Sequence, residues 1–164
     1  KVVVDGAGFL LNNEMDDFSI KPGFPNMFGL IGGEANAIEP NKRMLSSMTP
    51  TIVEKDKKLF MVLGTPGGST IITSVFQTIL NVIDYKMGMQ EAVDAKKFHH
   101  QWLPDVIVIE KNSISKESLE KIKKIGQKIM ERGSIGGMDC ILVNIDNSLE
   151  GGADKRGDNT ALGY

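Results

Sequence analysis

Apolar segments paired as hairpins, followed by helical runs and then by more strands, predict an α+β fold built on an antiparallel sheet rather than a βαβ series. Three observations carry the prediction. Strand-like pairs flank a glycine turn at 6–8 and a charged turn at 55–58, an apolar stripe at helical period runs from Ile71 to Ile83, and short apolar runs recur at 106–109 and 141–143. With 164 residues, 41% of them apolar, the chain can bury a sizeable core and is expected to form a single domain over residues 1–164.

Val2-Val3-Val4-Asp5 and Phe9-Leu10-Leu11-Asn12 around Gly6-Ala7-Gly8 read as an opening hairpin. Residues 20–40, rich in glycine and proline, are too irregular for a packed element and long for a connection, so a functional surface loop is expected there. Thr51-Ile52-Val53-Glu54 and Leu59-Phe60-Met61-Val62-Leu63 make a second hairpin, its latter strand apolar on both faces. Ile71, Ile72, Val75, Phe76, Ile79, Leu80 and Ile83 form a wide helical stripe that implies heavy burial. A shorter helix is expected around Gln90–Lys97 and a strand over Val106–Ile109. Ser115 then caps a helix carrying Leu119, Ile122, Ile125 and Ile129 on one side and solvated lysines on the other. Ile141-Leu142-Val143 is the last clear strand before a turn-rich tail from Gly151 to Tyr164.

The 19 basic and 21 acidic residues give a net charge of −2 without blocks of like charge, so nothing marks a nucleic-acid partner. Small molecules or proteins are the expected partners. A single cysteine, Cys140, excludes an intrachain disulfide and sits in an apolar run where a free thiol packs as a small hydrophobe. No apolar stretch reaches the roughly 18 residues of a membrane span. A chain that begins at Lys1 reads as a piece of a longer precursor.

Four segments carry possible chemistry. Asn12-Asn13-Glu14-Met15-Asp16-Asp17-Phe18 puts three carboxylates at a strand end, suited to an ammonium or a metal ion, though spacing alone favours a polar turn; it meets no Ca²⁺ or Zn²⁺ ligand pattern. Ser46-Ser47 can hold a carboxylate through hydroxyl and amide donors, or serve simply as turn residues. Gly64-Thr65-Pro66-Gly67-Gly68-Ser69, between a buried strand and a helix, offers bare N–H groups to an anion; the alternative is a plain strand-to-helix turn, and neither nucleotide-binding glycine pattern is present. His99-His100 invites a metal or acid–base reading, but neighbours in an extended stretch point opposite ways, and Phe98 and Trp102 are expected to mark a packed structural corner.

Taken in order and spacing, Leu10–Ser19, Asn41–Thr51, Gly64–Ser69 and Phe98–Pro104 resemble the small catalytic subunit of the γ-glutamyltranspeptidases. Each motif is weak alone; four in sequence are specific. The resemblance runs from about Val4 to the C-terminus and implies an αββα N-terminal-nucleophile hydrolase sandwich, here partial, made when a precursor cleaves itself. In that family the new N-terminal threonine attacks a γ-glutamyl amide with its own α-amine as base. The γ-glutamyl ester is then passed to an amino acid, a dipeptide or water. Glutathione is an expected donor, and no cofactor or metal is implied.

By the family's pattern, Asp17 meets the α-ammonium of the γ-glutamyl group with help from Glu14. Ser46 and Ser47 hold its α-carboxylate, the amides of Gly67 and Gly68 form the oxyanion hole, and the 20–40 loop is a lid. The threonine is not among these residues, because Thr49, Thr51 and Thr65 are internal and lack a free α-amine. Residues 1–164 alone are therefore expected to be inactive. The resemblance further implies a large subunit from the same precursor as partner, and a periplasmic or extracellular, bacterial setting. Within the family a cephalosporin acylase or a poly-γ-glutamate-processing enzyme is the alternative, and outside it a non-catalytic binding domain. The Glu14 and Asp17 pair favours a γ-glutamyl substrate, since an acyl group without an ammonium does not call for it.

Overall fold

The computed structural model describes residues 3–163. The chain forms two compact units, Lys1–Ser47 and Met48–Tyr164, where composition led to the expectation of one domain.

The second unit carries the regular structure. Strand β1 (Thr51–Lys55) and strand β2 (Lys58–Gly64) form the expected hairpin, closed by Asp56 and Lys57. Both turn residues have positive φ (53° and 61°), the left-handed pair whose twist matches the flanking strands. After a 3-10 turn at Gly68–Thr70, helix α1 (Ile71–Ile83) covers the whole apolar stripe, and the short α2 (Met89–Asp94) follows. Strand β3 (Phe98–His99), β4 (Ile107–Glu110), helix α3 (Lys116–Lys124), β5 (Ile129–Arg132), β6 (Asp139–Val143) and β7 (Leu149–Ala153) complete it.

The main sheet has the order β1-β2-β6-β7 and is antiparallel throughout. Alternation points Met61 and Leu63 of β2 and Cys140 and Leu142 of β6 to one face, where they pack with Val75 and Val82 of α1 and Met89, Ala92 and Val93 of α2. Burial of each large side chain there contributes about 1.5–3 kcal/mol. The other face is also apolar, as expected of β2, but uncovered: Ile52, Val62 and Ile141 lie in one cross-strand row and are 69%, 37% and 43% exposed.

Several expectations need correction. The capped helix is shorter than its apolar period suggested: Gly126, at φ 88°, ends it, and Ile129 starts β5 instead. Strand β5 lies parallel to β4, so β4-α3-β5 is a βαβ unit within a separate sheet of order β3-β4-β5. Strand β7 was unforeseen because Leu149-Glu150-Gly151-Gly152-Ala153 is poor in strand formers. Its glycine answers a packing demand, since a methyl group on Gly152 would lie 2.9 Å from Val93 Cγ2 and 3.0 Å from Met89 O of α2. Helix α1 is buried on one side only; Ile72 and Phe76 remain exposed. Trp102 does not mark a packed corner: it sits in a turn at φ 69° and is 80% exposed.

The first unit has little regular structure. The opening hairpin reduces to one antiparallel bridge, Val3 with Leu10, and a Val4 N to Phe9 O bond of 3.0 Å; Val2 lies outside the described residues. Short 3-10 turns occur at Glu14–Asp17 and Glu34–Asn36. Between them the chain loops out and back, closed by a Ser19–Ala37 bridge and a Gly23 N to Gly32 O bond of 2.9 Å.

Candidate active site

In the first unit the acidic segment folds as a 3-10 turn because Asn12 and Asn13 compete locally for its polar groups. The Glu14 amide donates to Asn12 Oδ1 at 3.2 Å, and Asn13 Nδ2 donates to Asp16 Oδ2 at 3.2 Å. That leaves Asp17 to turn elsewhere. Its carboxylate accepts a short hydrogen bond from the Ser47 hydroxyl, thirty residues away in sequence. Two of the expected residues are thus brought into contact. Ser46 is exposed next to Ser47, and the Glu14 carboxylate stands on the same turn as Asp17, exposed and without a hydrogen-bond donor among the described residues.

One residue that the sequence did not single out holds this arrangement. Asn36 Nδ2 donates to the backbone oxygen of Asp17 at 2.7 Å, and Asn36 Oδ1 accepts from the Leu45 amide at 3.0 Å. No local pattern distinguishes it from other loop asparagines. Among the described residues no three His, Cys, Asp or Glu side chains gather as a metal site.

In the second unit the glycine turn leaves β2 and enters α1. Gly67 (φ 148°) and Gly68 (φ 57°) both have positive φ, and no acceptor among the described residues meets their N–H groups. The Thr70 hydroxyl fixes the turn from within, donating to Gly67 O at 2.8 Å. A second loop supports it from outside. The Gly137 amide donates to Thr65 Oγ1 at 2.8 Å, and Gly136, at φ 72°, comes so near that a methyl group on Gly67 would lie 3.6 Å from its Cα. Bare amides at a helix start, where the helix dipole is positive, suit a developing negative charge.

The supporting loop is pinned by buried ions that sequence reasoning missed. Glu110, Lys97 and Asp154 are almost fully buried and Arg156 nearly so. Arg156 binds Glu110 through Nε at 2.6 Å and Nη2 at 2.7 Å, and Asp154 through Nη1 at 2.9 Å. Lys97 Nζ lies 3.7 Å from Asp154. The two carboxylates then accept the loop's own amides, Ile135 N on Glu110 and Met138 N on Asp154, each at 3.0 Å. Burial pushes both carboxyls up, but these hydrogen bonds outweigh it and hold them below the ordinary carboxylate range. Burial, reinforced by Arg156, lowers the Lys97 ammonium.

The remaining motif residues serve structure. His99 is buried between Thr73 Oγ1 (2.8 Å from Nδ1) and Gln101 Oε1 (2.9 Å from Nε2), while His100 points away to Asp105 at 3.1 Å. Cys140 is buried, and desolvation pushes its thiol up to about 11, so it is unreactive.

Comparison with known proteins identifies the family. The sequence matches the family described as gamma-glutamyltranspeptidase over residues 1–164. It is 50% identical to the glutathione hydrolase proenzyme of Escherichia coli (strain K12), covering 99% of this chain and 28% of that protein. Its structure superposes with a TM-score of 0.89 and 53% identity on a Helicobacter pylori gamma-glutamyltranspeptidase T380A mutant, covering 95% of this chain and 86% of that one. A cephalosporin acylase from Bacillus halodurans shares the fold with a TM-score of 0.80 at 23% identity, covering 99% of this chain and 30% of that one. The chain spans less than a third of the length of the curated relatives it matches, 28% and 30% of the first two. Its fold is the α+β fold of the N-terminal-nucleophile hydrolases, and the chain belongs to the γ-glutamyltranspeptidase family.

Proposed function

We propose that these residues form most of the small subunit of an enzyme that moves a γ-glutamyl group from glutathione or a related γ-glutamyl amide to an amino acid, a dipeptide or water. The carrying observation is the Asp17–Ser47 contact, which sets an acceptor-only carboxylate beside a hydroxyl whose sequence neighbour, Ser46, carries another. That is the complement of an amino-acid head group: Asp17, with Glu14 on the same turn, faces the α-ammonium, and Ser46 and Ser47 face the α-carboxylate. A threonine outside residues 1–164 attacks the amide carbonyl. Gly67 and Gly68 donate their amides to the oxyanion as it forms, a role supported by the lack of any acceptor for them among the described residues. The loop over residues 20–40 acts as the lid.

The names of the relatives, among them proenzymes called glutathione hydrolases, support glutathione as donor and a larger subunit cut from the same precursor as partner. The exposed row Ile52, Val62 and Ile141 gives that partner an apolar surface to cover. Family resemblance also supports a periplasmic or extracellular location.

The deciding experiment replaces Asp17 in the complete two-subunit enzyme. Stranding a substrate ammonium in a desolvated site costs about 2–5 kcal/mol, so Asp17→Ala is expected to lower kcat/KM for γ-glutamyl donors about 30-fold to several thousand-fold. A glutaryl donor, which has no ammonium to strand, is expected to lose far less. Equal losses for the two donors would show that Asp17 supports the fold and does not read the substrate.

A further inference from the structure

We propose that Asn36 is a positioning residue that ties the neck of the 20–35 loop to Asp17 and Ser47, and so sets the geometry of the γ-glutamyl head-group site. The inference rests on the substrate reading above and adds a residue to it.

Asn36 bonds two other segments, 17–19 and 45, through three different atoms. Its side-chain Nδ2 donates to Asp17 O at 2.7 Å, its Oδ1 accepts from Leu45 N at 3.0 Å, and its backbone oxygen accepts from Ser19 N at 2.9 Å. The first bond fixes the backbone of the residue whose carboxylate meets the substrate. The second fixes the strand of chain that delivers Ser46 and Ser47, two residues beyond Leu45 at most. The third closes the loop neck, reinforced by the Ser19–Ala37 bridge and by Gly32, where a methyl group would collide with the Ser19 side chain. The side-chain amide spends its donor on one half of the head-group site and its acceptor on the other; the bond to Asp17 is part-buried, where an orphaned partner is costly, and the bond to Leu45 is exposed. No apolar packing does this work: Ser19 is the one buried residue among those described in this unit. Asn36 touches no substrate atom in this reading, and its effect passes through Asp17 and Ser47.

Because the head group is held alike in the ground and transition states, loosening it raises KM more than it lowers kcat. In the processed full-length enzyme, Asn36→Ala is expected to raise KM for a γ-glutamyl anilide about 5- to 100-fold, the range for orphaning polar partners in a site closed from water. The change in kcat is expected to be much smaller. Asn36→Asp keeps the acceptor for Leu45 and removes the donor to Asp17, so it tests the Asp17 connection even if the alanine variant processes poorly; a KM increase is expected there too.

The discriminating step is the double variant with Asp17→Ala. If Asn36 acts through Asp17, adding Asn36→Ala to that background raises KM by less than about twofold, because coupled residues are not additive. Full additivity, or equal losses of γ-glutamyl and glutaryl turnover in Asn36→Ala, overturns the proposal while leaving the Asp17 reading intact. If Asp17→Ala alone leaves γ-glutamyl KM unchanged, the substrate reading fails and this one fails with it.

Discussion

Between Met48 and Tyr164, ten side chains of β2, β6, α1, α2 and the loop at Met138 form a buried apolar core. From residue 3 to Ser47 the only buried residue is Ser19, while Phe9, Leu10, Leu11, Ile20, Phe24, Met27 and Ile31 are all exposed. Each unit carries candidate residues of its own, and the two hold them by opposite means. The glycine turn is locked by packing and a buried ion network; Asp17 and Ser47 are held by a few hydrogen bonds to loop atoms. A group that stabilises a transient oxyanion gains from rigidity, since preorganised dipoles cost nothing to reorient. A group that admits and releases substrate beneath a loop needs an arrangement that opens at low cost, and regions with few buried contacts open most easily.

The largest departure from this contrast is expected from Gly67→Ala. The methyl group would lie 2.6 Å from Thr70 Oγ1, and φ 148° suits no residue with a side chain, so the turn must move. If Gly67 donates to the oxyanion as proposed, kcat is expected to fall about 10²–10³-fold. KM for the donor is expected to change little if, as proposed, Asp17, Ser46 and Ser47 bind the head group. The split is the reverse of that expected for Asn36→Ala, and steady-state kinetics on both variants checks it. A Gly67→Ala enzyme that loses affinity instead of turnover would erase the distinction between the two units.

How far these units were legible in the sequence follows the same line. The β1–β2 hairpin and α1 were read correctly because turn residues and a thirteen-residue apolar period are local signals. Strand β5 was hidden because Ile129 falls in phase with Leu119, Ile122 and Ile125, and the stop at Gly126 was outweighed. Strand β7 was hidden because Gly152 answers to α2, which no local pattern reports. Lys97, Glu110, Asp154 and Arg156 are spread over sixty residues and look like ordinary surface charges until the fold gathers them. Of the site, Asp17, Ser46, Ser47, Gly67 and Gly68 were picked out by resemblance, because a carboxylate and a hydroxyl thirty residues apart have no spacing rule to pair them. Asn36 had neither kind of signal.

A smaller effect, on stability, is expected from Glu110→Gln. It leaves Arg156 buried with one anion fewer, and breaking such a pair costs about 3–5 kcal/mol. That corresponds to a Tm lower by about 3 °C in an enzyme of the relatives' length, measurable by calorimetry on the processed enzyme. The pH dependence has a definite sign. The folded-state pKa of Glu110 lies below its unfolded value, so its contribution is complete above the unfolded pKa and is lost as pH falls through the folded one. The Tm gap between wild type and Glu110→Gln should therefore be widest near neutral pH and narrow in acid. A gap that stays constant down to acid pH would mean that Glu110 acts by shape and not by charge.

The smallest effect is expected from Ser115→Ala, at the start of α3. The Ser115 hydroxyl accepts from the Ser118 amide at 3.2 Å and satisfies one of the donors left free by the first turn. Losing such a cap costs about 1 kcal/mol, enough to speed amide exchange within α3 about fivefold. None of the residues of α3 is buried, so the loss has no fully buried side chains through which to reach the glycine turn. Hydrogen exchange is expected to rise in α3 alone, with kcat and KM for a γ-glutamyl donor unchanged. A fall in turnover would show that the β4-α3-β5 unit reaches the site through the Glu110 end of β4, and that the rigid half of the molecule is less partitioned than its burial pattern indicates.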